Sequence, residues 1–149
     1  MTVPRRWEVK VERLTRYQTP LVYIRFNGRM GWVARVAIAT SEPFTTLAPD
    51  TAAAVRHELT HEKVPEGRRG RRIVPGDAGR YFAPLIRVES LEIETVGGVW
   101  VSLGTVTAVI TNRPRALGVG GLLGGDILSR FTRFEYQIGP PDRLIVEQP

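Results

Sequence analysis

Two stretches far apart in the chain carry the strongest constraint on its fold. Val33 to Ile38 is an apolar, strand-like run that ends in a turn, and Pro49 and Asp50 then open a helix through Ala54 and beyond. Near the other end stand Gly121-Leu122-Leu123-Gly124. Glycines flanking an apolar pair suit a strand that passes close under another turn, because a Cβ has no room at the point of approach. Asp50 is near enough to the helix start to cap it, which is the common use of a carboxylate there.

The chain in order reads as mostly β. Trp7, Val9 and Val11 alternate with Glu8, Lys10 and Glu12, which predicts one half-buried strand from Trp7 to Leu14. Leu21 to Phe26 reads as a second strand, and Asn27-Gly28 is a type I′ hairpin signal that returns the chain toward Val33. The helix is expected over Pro49 to Leu59. Pro65 to Gly79 is rich in glycine and proline, as loops and hairpin tips are. Within it, Arg72 to Phe82 has apolar arms around Pro75-Gly76-Asp77 and predicts a β-hairpin. Four short strands follow, at 85–88, 91–96, 99–103 and 106–110, with a turn at Gly97-Gly98. Such spacing argues for a small barrel or sandwich. Asp126 is placed to cap a short helix from Ile127 to Phe131, and strands at 134–136 and 144–146 close the chain.

Composition narrows the function classes. With 149 residues and 42% hydrophobic content, one domain over 1–149 is expected. The net charge is +6, with basic residues at Arg5, Arg6, Arg68, Arg69, Arg71 and Arg72. They are not interleaved with aromatic residues as in a single-strand binder, so a nucleic-acid partner is not expected. Without cysteine the chain has neither disulfides nor a cysteine-ligated metal. The charged N-terminus lacks a signal-like apolar core, and no window approaches the roughly 20 apolar residues of a membrane span. A soluble cytoplasmic protein is the expectation.

The stretch Ile38-Ala39-Thr40-Ser41-Glu42 with Phe44-Thr45-Thr46-Leu47, set beside Gly121-Leu122-Leu123-Gly124-Gly125-Asp126-Ile127-Leu128, resembles the signature of the retropepsin-like aspartic proteases. The resemblance spans roughly Pro20 to Val146. It implies an all-β, closed acid-protease barrel with one or two short helices, a groove for a polypeptide, and a homodimer in which each subunit supplies one catalytic Asp. It also implies that the hairpin at about 70–83 is a flap with its tip at Pro75, Gly76 and Asp77, and that residues 1–18 extend the fold at its N-terminus. Leu122, Leu123 and Gly124 match the family's apolar-apolar-glycine element. Ala39 occupies the place of the catalytic Asp. Thr40 matches a threonine whose hydroxyl, in the family, holds the two active-site turns together, and Ser41 replaces a glycine. The implied chemistry is peptide hydrolysis by two carboxylates sharing a proton, and a chain with Ala39 is inert in it. A natural pseudoprotease that binds peptides and an Asp-to-Ala substitution in an active enzyme both account for Ala39. Glu42 is a further carboxylate, which the turn is expected to aim elsewhere.

A second motif competes. His57-Glu58-Leu59-Thr60-His61 matches H-E-x-x-H, in which two histidines one helical turn apart bind zinc and the glutamate activates water. A catalytic zinc needs a third protein ligand, and His57 and His61 are the only histidines in the chain. No metal or other cofactor is therefore expected, with a zinc peptidase as the alternative.

Overall fold

A computed structural model describes residues 5–14, 19–26, 33–58, 71–76 and 79–149, the side chains of 14, 56–58, 71–76 and 79–83 excepted. The barrel grows from β3 (Thr19–Phe26) and β4 (Val33–Ile38), an antiparallel pair with Leu21 opposite Ala37 and Arg25 opposite Val33. Val22, Ile24 and Phe26 turn inward to the core with Ala34, Val36 and Ile38. Tyr23, Arg25 and Arg35 alternate with them, as a period-two strand requires. Asn27 and Gly28 lie outside the described residues.

Six strands close into a ring. β4 pairs in parallel with β9 (Gly121–Leu123), β9 pairs antiparallel with β5 (Thr46–Leu47), and β5 pairs in parallel with β8 (Trp100–Ile110). β8 pairs with β7 (Gly79–Glu94), and β7 returns to β3 through Ile24–Ile93, Arg25–Glu92 and Phe26–Leu91. That closing seam is short, and its outer face is clamped by a two-pronged ion pair from Arg25 to Glu92 at 3.2 and 2.9 Å. The Trp100 ring lies against the same guanidinium, 4.7 Å from its centroid. The closed all-β barrel expected from the sequence is thus the observed architecture.

The four short strands expected between residues 85 and 110 are two long ones. β7 and β8 run on through the polar breaks at Glu89-Ser90 and Gly104-Thr105, where the register shifts between Val88 and Leu91 and Gly104 takes a positive φ of 83°. The breaks are facing bulges, which bend a strand without ending it. The turn at Gly97-Gly98 is present, with Gly98 N–H donating to the Thr95 carbonyl.

The single strand expected from Trp7 to Leu14 is divided between two sheets. β1 (Arg5–Val9) pairs with β11 (Arg143–Gln148), which also pairs with β10 (Arg133–Gln137), while β2 (Val11–Leu14) pairs with β3 on the barrel. The chain crosses over at Lys10, whose N–H donates to the Glu94 carbonyl. Alternation persists through the crossing, so periodicity alone could not reveal it. Val9, Leu144 and Val146 join the main core, and Trp7, Phe134 and Tyr136 pack against it.

Three short helices are present among the described residues. α1 (Pro49–Glu58) begins at Pro49, so Asp50 sits within the first turn rather than at the cap position; its exposed carboxylate lies 3.6 Å from Arg115. α2 (Arg113–Ala116) was not expected, although Pro114 just inside its start is a helix-opening signal. α3 (Gly125–Leu128) begins two residues before the expected helix, with Gly124 at its cap. β6 (Arg71–Gly76) pairs with β7 from Pro84 to Gly79, so the arms of the expected hairpin are joined. Asp77, expected at its tip, lies outside the described residues. Among the described residues no helix is long and apolar enough to cross a membrane.

Candidate functional site

The two stretches that open the sequence argument meet in space. Ile38 is opposite Leu123 in the β4–β9 ladder, and the Ala39 N–H donates to the Leu123 carbonyl at 3.0 Å. The chain then turns: Glu42 N–H donates to the Ala39 carbonyl at 3.1 Å, leaving Thr40 and Ser41 exposed at the tip. Gly125 N–H donates to the Glu42 carbonyl at 2.7 Å and Asp126 N–H to the Pro43 carbonyl at 3.1 Å. The turn is thereby stitched to the start of α3.

Gly124 makes the approach possible. A Cβ at that position would stand 2.5 Å from the Phe44 carbonyl carbon and 2.9 Å from the Thr45 nitrogen, both rigid backbone. Its φ of −96° is open to any residue, so space is the reason for glycine here. Gly121 is similar, with 2.9 Å to the Thr46 carbonyl oxygen. Asp126 does more than serve its helix. Its carboxylate accepts from the Thr45 N–H at 3.0 Å and the Thr45 hydroxyl at 2.7 Å, as well as from the Ile127 N–H at 2.9 Å. The buried Thr45 hydroxyl in turn accepts from the Gly124 N–H at 3.2 Å. The result is one rigid unit beneath the turn.

Beside this unit lies a cavity of about 1190 Å³. Ala39, Thr40, Ser41 and Glu42 form one wall, and Ile110 to Arg113 with Leu117 form another. Pro84, at the base of the β6–β7 hairpin, also lines it. Glu42 does not leave the site as the sequence suggested: it lines the cavity and forms an ion pair with Arg113. Leu122 also reaches the lining, whereas Leu123 is buried in the main core. The far wall was not legible beforehand. Thr111, Asn112 and Arg113 have no motif among themselves, and only barrel closure brings the end of β8 opposite the turn.

Of the other expected site residues, Pro75 and Gly76 are placed by their backbone on β6, their side chains and Asp77 falling outside the described residues. His57 lies in α1, but its side chain and all of His61 are also outside them. Among the described residues no group of His, Asp or Glu side chains is arranged to hold a metal ion.

The same architecture is found in the crystal structure of a retropepsin-like aspartic protease from Rickettsia conorii. The two align over 99% of this chain and 96% of the other, with a TM-score of 0.57 and 18% sequence identity. This chain has the retropepsin-like fold. No protein-family model matches the sequence, and no curated protein does. The likeness therefore lies in the backbone, and at this identity it speaks for the fold. Within the retropepsin-like fold, the Ala39–Glu42 turn, Leu122 of β9 and Pro84 at the base of the β6–β7 hairpin line the same cavity.

Proposed function

We propose that this chain binds extended polypeptides in the cavity beside the Ala39–Glu42 turn and, with alanine at position 39, does not cleave them. The observation that carries the reading is the turn itself. It has the supporting hydrogen bonds of a site that positions a side chain closely, and what it offers the cavity at position 39 is a methyl group. Hydrolysis of an amide by this type of site needs one carboxylate to take a proton from water and another to protonate the carbonyl. Ala39 can do neither. Among the described residues Glu42 is the one carboxylate on the cavity wall, and it already serves as counter-ion to Arg113. Two copies related by a two-fold axis would bring two such turns together, as the aspartic-protease mechanism requires.

The test is to supply the missing carboxylate. Ala39→Asp is expected to create peptide cleavage, read on a denatured protein mixture between about pH 4 and 7, where one member of a coupled pair stays protonated. The chain with Ala39 is expected to be inert. Ser41 adds a side chain at the tip, so Ala39→Asp/Ser41→Gly is the companion variant. If both fold as dimers yet neither cuts any substrate, the site is not a latent protease; peptide binding then has to stand on direct measurement.

A further inference from the structure

We infer that the cavity selects polypeptide segments by an acidic side chain, held by Arg113. This rests on reading the cavity as a polypeptide site and adds the class of segment it takes. Among the described residues Glu42 and Arg113 are the charged ones lining the cavity, and they are unequally covered: 15% of the Glu42 side chain is exposed against 47% of Arg113. The carboxylate is therefore behind the guanidinium, and the charge available to a ligand is positive.

A guanidinium has five N–H donors in a planar fork. Through Nη2, Arg113 engages Glu42. Among the described residues its remaining donors have no ion-pair partner, and a second carboxylate would match the fork in two-pronged geometry. Glu42 also holds the arginine in place before binding, which lowers the ordering cost that a long exposed side chain ordinarily carries. Next to it, the Asn112 side chain makes no capping hydrogen bond to α2 and lines the same wall. Ala39, Ile110 and Leu117 offer apolar surface for the neighbouring residues of the segment. The chain's net charge of +6 adds long-range attraction for acidic segments. A basic ligand side chain would instead have to displace Arg113 to reach a largely covered Glu42.

The experiment uses short synthetic peptides of one apolar sequence in which Asp, Asn or Lys occupies each position in turn, with binding followed by fluorescence anisotropy. At one position Asp is expected to bind roughly tenfold tighter than Asn, the value of one added charge-assisted hydrogen-bond pair. The difference should shrink at high salt. Arg113→Gln is expected to abolish the Asp preference, so that the Asp and Asn peptides bind equally, and Arg113→Glu to turn the preference toward Lys. Both variants should keep a single cooperative urea transition at a lower midpoint than the parent, Arg113→Glu the lower of the two, since the largely covered Glu42 loses its counter-ion. An Asp preference that survives Arg113→Gln would overturn the inference, as would a Lys preference lost on Glu42→Gln. Equal binding of Asp, Asn and Lys peptides would overturn it and leave the polypeptide site standing. Failure of every peptide to bind would overturn both.

Discussion

Gly124 shows how much of this fold depends on the absence of a few atoms. A methyl group there meets the backbone of Phe44 and Thr45, which cannot rotate aside as a side chain could. Gly124→Ala is therefore expected to lower stability by about 3 kcal/mol, the upper end of ordinary overpacking, and to loosen the turn at Ala39. Gly97→Ala is the control. Its Cβ would have nothing within 4 Å, so a change within about 0.5 kcal/mol is expected. Urea unfolding of the two variants checks the contrast. An equal effect at both positions would mean that the glycine contributes through chain flexibility and not through space. The glycines were legible in the sequence as points of close approach; the partner they approach was not. Asp126 likewise reads locally as a helix cap, because its bond to Ile127 N–H is near in sequence while those to Thr45 are not.

At the scale of elements, the small sheet is fastened to the barrel by a carboxylate. Asp142, in the connection between β10 and β11, accepts from the Gly139 N–H at 2.9 Å, from the Tyr136 hydroxyl at 2.7 Å and from Arg13 on β2 at 2.8 and 2.6 Å. These donors, the Gly139 N–H first, lower its pKa from 3.8 to about 2. A carboxyl depressed in the folded state stabilises fully above its unfolded pKa, and that stability is lost as pH falls through the folded one. The expected outcome is a decline in the urea midpoint from near pH 4 down to about 2 that is shallower in Asp142→Asn. At neutral pH the Asn variant should already be the less stable, since it loses the ion pair to Arg13. Identical profiles for the two proteins would show that the latch does not contribute. The division of residues 5–14 between two sheets belongs to this scale as well. Alternation of apolar and charged residues is the same whether a strand continues or crosses to another sheet, so only the partners decide.

Taken as a whole, the molecule pairs its terminal strands within one chain. In the homodimer that the resemblance implies, these strands would need no partner from the second copy, because β11 lies between β1 and β10 of the same chain. Association would therefore proceed through the exposed Thr40–Ser41 tip and the outer edge of β10, which has no strand partner among the described residues, whereas β1 is already bonded through its Glu8 carbonyl to the Val96 N–H. We expect a two-fold dimer by sedimentation at micromolar concentration, weakened by Thr40→Arg; a monomer throughout would leave any single turn without its counterpart. What the sequence determined by itself was the set of parts: period-two strands, the apolar run into the Ala39 turn, and the glycine-flanked pair Leu122-Leu123, each a matter of local sterics and alternation. The strand pattern left a small barrel or a sandwich open, and the family resemblance pointed to the closed barrel. Tertiary structure alone decided which parts face one another. It merged four short strands into the bent pair β7 and β8, because bulges and turns use the same residues. It also set Arg113 against Glu42 in the cavity lining, because barrel closure brings together residues that no local pattern connects.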